Sequence, residues 1–235
     1  MNLLALDTST RSCVIGVAHG AALFERSEKV DRTHSQVVLP MINEVMATAD
    51  LVLGELDGLI LGQGPGSFTG LRIAAGVIQG LAFGLDLPVA PVSTLAALAQ
   101  GRIRRHGDEK IAVAMHARVD EMFFGCYRNE NGVAVCEFDE RIAVLDELDL
   151  DWSRYSATGN GWSHESALSV RGQLLGSDDL GVPQGSDLVT LGRHVIGQTG
   201  GVVASEALPQ YLRETVATPP SKPSTQPPSK PSPKR

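Results

Sequence analysis

Short apolar runs alternate with amphipathic stretches along this chain, and the period of each run predicts its element. NLLALD (2–7) reads as a buried strand, and SCVIGVA (12–18) and AALFERSEK (21–29) alternate as two strands joined by a tight turn at His19-Gly20. THSQVVLPMINEVMATA (33–49) has helical period, and DGLILGQG (57–64) is a short buried strand ending in glycine. A glycine-bearing helix follows, then a strand at PVAPVS (88–93) and a helix at TLAALAQGRIRR (94–105). The pattern then restarts. KIAVAMHA (110–117) is a buried strand, and 121–129 and 132–140 form a hairpin around Glu130-Asn131-Gly132. A β-β-β unit therefore occurs twice, which predicts an α/β protein of two similar lobes, each a mixed sheet flanked by helices. The expected division is an N-terminal lobe over 1–105, a C-terminal lobe over 106–214 and a tail over 215–235. In the second lobe YSATGNGW (155–162) reads as a strand ending in a glycine pair, and DLVTLGRHVIGQ (187–198) reads as a helix. PQYLR (209–213) reads as extended.

The stretch GQGPGSFTGLRIAAGVIQGLAFG (62–84) carries the most information. Its loop lacks both the G-x-G-x-x-G register and a G-x-x-x-x-G-K-[ST] string, and no lysine lies between 30 and 109. It is a weak nucleotide signal. Ser67, with Thr69, suits a helix N-cap. In the helix itself Gly76, Gly80 and Gly84 recur every fourth residue. Each glycine costs about 0.8–1 kcal/mol against alanine in a helix interior. At about 100° per residue, Leu71, Ile78, Leu81 and Leu85 share the face expected on the sheet. The glycines centre on the opposite face, flanked by Arg72, Ile73, Val77 and Phe83. Small residues at this spacing admit a second backbone, and an exposed apolar patch marks an interaction site. The helix at 33–49 has an apolar arc wider than one core stripe, so Val38, Met41, Ile42 and Val45 join the candidate partner interface.

Charge and composition narrow the picture. The net charge is −7 with 43% hydrophobic residues. The tail carries Lys222, Lys230, Lys234 and Arg235 and no acid, so the body is more acidic than the whole. Such a body is a poor stand-alone nucleic-acid binder. The tail repeats PPSKPS at 219–224 and 227–232 and is expected to be disordered with polyproline II character. No apolar run is read as long enough to span a bilayer. Asp7 and the missing basic segment argue against a signal peptide, so a cytoplasmic location is expected. Cys13, Cys126 and Cys136 lie in no C-x-x-C pair and read as small buried hydrophobes.

Catalytic patterns are sparse. The six histidines (19, 34, 106, 116, 164, 194) include no H-x-x-x-H pair, so no metal or other cofactor is expected. Ser67 is not in a G-x-S-x-G elbow. Asp7-Thr8-Ser9-Thr10 after the first strand suits either Mg²⁺-nucleotide binding in an actin-like ATPase, with Gly159 and Gly161 opposite, or an Asx turn closing the loop. His116 and Asp120 suit local hydrogen bonds better than an acid–base pair.

LALDTST at 4–10, HSQVVLPMI at 34–42, GQGPGSFTGLRIAAGVIQGLAFG at 62–84, PVSTLAALAQG at 91–101 and PQYLR at 209–213 together resemble the TsaB family, also called YeaZ. GPGSFTGLR is the specific element among them. That family is the bacterial accessory subunit of the machinery that makes N6-threonylcarbamoyladenosine in tRNA. The resemblance implies two RNase H-like lobes related to actin and Hsp70-type ATPases. It also implies a non-catalytic subunit that pairs through its N-lobe helices, here 34–49 and 67–85, with a TsaD-like catalytic subunit. That subunit carries the metal and transfers the threonylcarbamoyl group to the adenosine 3′ of the anticodon. A TsaE-like ATPase joins the pair, tRNA is met only through the complex, and a homodimer forms through similar surfaces when the partner is absent. One departure stands out. Where the family often has an Asp-Ala-Arg-x-Gly-Glu-Val-Tyr-like string, this chain has His116-Ala117-Arg118-Val119-Asp120-Glu121-Met122-Phe123.

Overall fold

The computed structural model describes residues 1–30 and 33–212. The tail expected to be disordered, and Arg213 of the PQYLR segment, lie outside the described residues. The elements run β1 (Leu3–Asp7), β2 (Ser12–His19), β3 (Ala22–Lys29), α1 (His34–Thr48), β4 (Gly58–Gly64), α2 (Phe68–Leu85), β5 (Val89–Ser93) and α3 (Thr94–His106). They continue with β6 (Lys110–Arg118), β7 (Glu121–Glu130), β8 (Val133–Ala143), β9 (Ser156–Thr158), α4 (Leu168–Arg171), β10 (Gly176–Ser177) and α5 (Gly185–Thr199).

The repeat read from the sequence is a repeat of topology. The first sheet has the order β3-β2-β1-β4-β5 and the second β8-β7-β6-β9-β10. In each, three antiparallel strands are extended by two parallel ones. The hairpin turn at Asn131-Gly132 has both residues at positive φ (54° and 88°), the twist that two-residue hairpins favour.

Alternation along the strands fills three cores. Leu4, Leu6, Leu59 and Leu61 face an outer core closed by α1 and α2. Leu3, Ala5 and Ile60 face the centre, where α3 and α5 lie between the two sheets with Leu95, Leu98, Leu188 and Leu191. Ala112, Ala114, Phe124 and Cys126 point away from the centre, against Trp152 and Trp162. That third core is covered by the short α4 and by single turns at 145–147, 152–154, 160–163 and 165–167 rather than by long helices. The helix following β10 does not stay with the second sheet: α5 packs on β1, β2 and β5 as well as on α3. Salt bridges hold this shared layer. Asp178, after β10, bonds Arg102 and Arg105 of α3, and Asp187 of α5 bonds Arg104.

One expectation needs correcting here. α2 has 18 residues and a mean hydropathy of 1.4, long and apolar enough by length and composition to cross a membrane. In this fold 33% of that span is buried: one face, with Ala74, Ala75, Ile78 and Ala82, joins the outer core, while the opposite face stays exposed.

Candidate partner interface

The loop before α2 is built around three close approaches. The 62–70 segment lies on the exit of β1, and its glycines touch that exit directly. A methyl carbon built on Gly70 would lie 1.9 Å from the Thr8 carbonyl oxygen, one on Gly66 2.3 Å from the Ser9 carbonyl oxygen, and one on Gly62 2.2 Å from Asp7 Oδ2. Ser67 N–H donates to the Ser9 carbonyl at 2.7 Å, and Thr8 Oγ1 donates to the Gly70 carbonyl at 2.7 Å. Ser67 Oγ then accepts from Gly70 N–H and caps α2. Thr69 takes no part in the cap and sits in the first turn.

Beneath this loop Asp7, Thr8 and Ser9 are buried. Asp7 Oδ1 accepts from Ser9 N–H at 2.8 Å and Ser9 Oγ at 2.7 Å, and the Thr94 hydroxyl lies 3.1 Å from Oδ2. Burial pushes the Asp7 carboxyl above the usual carboxylate range, against those hydrogen bonds and the charge of His34. The arrangement is an Asx-type turn sealed by the glycine loop. Gly159 and Gly161 are likewise close-packed, with built methyl carbons 2.2 and 2.9 Å from the Ala114 carbonyl oxygen.

The outer face of α2 is different in kind. Gly76, Gly80 and Gly84 are exposed, and a methyl group at each would meet nothing within 4 Å. Phe83 is 86% exposed, a large ring with no cover. Ile73 and Val77 are half-buried at the edge of the outer core, and Arg72 is exposed. The structure therefore gathers Arg72, Ile73, Gly76, Val77, Gly80, Phe83 and Gly84 on one accessible helix face. Val38, Met41, Ile42 and Val45 do not join them. All four are at most 4% exposed, because the wide arc of α1 meets β2, β3 and α2 at once. This corrects their assignment to the interface; Leu39, 54% exposed, is the large apolar residue that α1 leaves in solvent.

Residues missed from the sequence lie in the segment 204–212, which runs back along α2. Gln79 Nε2 donates to the Ala207 carbonyl at 3.0 Å, and Gln210 N–H donates to the Gln63 carbonyl at 2.8 Å. Tyr211 closes the end of this strap. Its ring lies 5.4 Å from Phe68, its hydroxyl accepts from Arg72 Nε at 3.3 Å, and the Arg72 guanidinium stacks 3.8 Å over Phe68. Between strap and helix runs a groove of about 510 Å³ lined by Arg72, Ala75, Gly76, Gln79, Leu208, Pro209 and Tyr211. The PQYLR string was the available signal, but its docking onto α2 joins residues well over a hundred positions apart.

With this geometry in view, the relatives can be compared. A protein of Haemophilus influenzae named tRNA threonylcarbamoyladenosine biosynthesis protein TsaB is 35% identical over 226 residues, 92% of this chain and 95% of the relative. Its Escherichia coli namesake is 32% identical over 92% of this chain and 96% of its own length. The chain belongs to the TsaB (YeaZ) family. A solved structure described as YeaZ from Pseudomonas aeruginosa superposes on this TsaB-family chain with a TM-score of 0.81 at 35% identity, covering 90% of this chain and 99% of the other. A second Pseudomonas aeruginosa structure, described as similar to peptidase YEAZ, gives 0.85 at 37% identity over the same shares. Residues 26–151 also match the family model "TsaD: tRNA N6-adenosine threonylcarbamoyltransferase".

The loop that departs from the usual family string sits at the tip of the second sheet. His116 N–H donates to Asn160 Oδ1 at 2.9 Å, and its ring stacks at 5.4 Å from His164. Its Nε2 lies 3.1 Å from the Val119 carbonyl oxygen. Among the described residues no three His, Cys, Asp or Glu side chains converge as a metal site. Cys13 and Cys126 are buried as expected, whereas Cys136 is exposed at the second sheet's edge strand, which corrects its assignment to the interior.

Proposed function

We propose that this chain is a non-catalytic accessory subunit of tRNA threonylcarbamoyladenosine biosynthesis, and that it presents the outer face of α2 to a TsaD-like catalytic subunit. One observation carries the reading: a helix interior gives up three exposed positions to glycine with open space beyond them. In the monomer this is a net loss of helix stability. Against a second helix it permits close backbone packing, with Phe83 and the Leu208–Tyr211 strap supplying apolar contacts at the edges. The names of the relatives supply the pathway, and the TsaD-type family match supports a partner of the same architecture. In this reading the partner transfers the threonylcarbamoyl group to the adenosine 3′ of the anticodon, a TsaE-like ATPase joins the pair, and tRNA is met through the assembly. A second copy of this chain competes for the same face when the partner is absent.

The stand-alone ATPase is the weaker reading. Both Asp7 oxygens are engaged by Ser9 and Thr94 in a buried turn, and the glycine loop fills the space above it. The test is threonylcarbamoyl transfer to tRNA by the cognate TsaD-like and TsaE-like subunits, with and without this chain. Product only in its presence, and none from the chain alone, is the expected result. Equal product without it would leave the family fold with a different task.

A further inference from the structure

We propose that Arg72 is the charged anchor of the partner interface, and that it takes a carboxylate at the C-terminal end of the TsaD-like subunit's counterpart of α2. This rests on the reading above, that the outer face of α2 meets that subunit. Arg72 is the one charged residue within α2, and it is exposed. Its guanidinium is already held in place, stacked over Phe68 with Nε bonded to the Tyr211 hydroxyl. Its two Nη nitrogens have no hydrogen bond or ion pair among the described residues. They belong to the groove between helix and strap, whose lining includes no carboxylate. An arginine fixed by its neighbours loses little freedom on pairing, and its planar edge fits a carboxylate through two parallel bonds.

The spacing of charge along the helix gives the place of that carboxylate. Asp86 caps α2, is exposed, and likewise has no partner for its side chain among the described residues. Arg72 and Asp86 stand seven residues either side of Gln79, beside Gly80 in the middle of the glycine face. At about 100° per residue they lie within about 40° of one another around the helix axis. A similar helix laid antiparallel across the glycines therefore brings its counterpart of Asp86 opposite Arg72. The TsaD family match over 26–151 spans α2 and both its flanks, so a partner of that family has such a helix end. The carbonyls of a helix C-terminus favour a cation there as well. A second copy of this chain offers Asp86 at the same place, but two chains of net charge −7 repel each other. RNA is the poorer occupant, because a phosphate track needs clustered cations and α2 supplies one.

The test titrates full-length variants into the cognate TsaD-like subunit by calorimetry, each variant also being melted alone. Arg72→Met keeps an unbranched stem over Phe68 without the charge, and is expected to weaken binding about tenfold. Arg72→Glu sets like charges against each other and is expected to weaken it about a hundredfold or more. Replacing with Lys, one at a time, the acids at the end of the partner's counterpart helix should restore binding to Arg72→Glu at one position. Raising salt should weaken the wild type more than Arg72→Met. Unchanged affinity in both variants overturns the proposal. So do equal losses in the two, which would make Arg72 a support for the strap, and so does recovery with none of the Lys replacements. Loss of self-association alone would assign the anchor to a second copy, and loss of tRNA by an otherwise intact assembly would make it a phosphate contact; either overturns it. A wild-type chain that fails to bind the TsaD-like subunit at all refutes the accessory-subunit reading instead.

Discussion

Two sets of glycines sit within 23 residues of one another and serve opposite ends. Gly62, Gly66 and Gly70 lie where the chain touches itself: each holds its α-carbon against the exit of β1, at distances no side chain tolerates. Gly76, Gly80 and Gly84 lie where the chain touches nothing described. The first set is explained within the monomer. The second is not, since alanine would fit all three positions and favour the helix. A residue type alone thus says little about its purpose, and the space around its α-carbon says a great deal.

The contrast can be broken most sharply at Gly70. Gly70→Ala places a methyl carbon 1.9 Å from the Thr8 carbonyl oxygen, a backbone clash that no rotamer relieves. It is expected to destabilise by about 3 kcal/mol or more, measured by urea unfolding. A loss under about 1 kcal/mol would mean that the loop is not seated on β1 as described. The sealed turn beneath the loop gives a pH signature. Burial raises the Asp7 carboxyl in the folded state above its ordinary value of 3.8. The folded protein therefore holds that proton more tightly than the unfolded chain does. As pH falls through the folded value towards 3.8, this group adds to stability, and Asp7→Asn should lose that gain. Denaturant midpoints of both proteins across acidic pH check the sign, and a wild-type excess that shrinks on acidification would contradict it. The smallest effect lies on the helix. Gly76→Ala and Gly80→Ala should each stabilise the isolated chain by about 0.8–1 kcal/mol, raising Tm by about 2–4 °C. Calorimetry that finds either variant destabilised would show the outer face to be covered within the monomer.

Much of this architecture was legible in the residues. The short buried apolar runs at Leu3–Asp7 and Lys110–Arg118, the Asn131-Gly132 turn and the doubled β-β-β order all come from local apolar pattern and turn chemistry, which act over a few residues. The exposed glycine face of α2 was legible for the same reason. What failed depends on distance. The apolar arc of α1 was measurable, but not the number of elements it has to cover; three neighbours absorb Val38, Met41, Ile42 and Val45. The purpose of Gly62, Gly66 and Gly70 depends on β1, some sixty residues earlier. The strap of Leu208 and Tyr211 reaches α2 from the far end of the sequence. In the second lobe, Trp152 and Trp162 sit in single turns too short to show a period.

The central claim is that the glycine face exists for another helix. It is tested most directly by Gly80→Arg, with affinity for the cognate TsaD-like subunit measured by calorimetry beside a thermal melt of the variant alone. The side chain projects into open space and suits a helix, so the variant should melt at or above the wild-type temperature. Binding to the TsaD-like subunit should be lost. A variant that folds as well as wild type and binds the TsaD-like subunit with unchanged affinity would contradict the account.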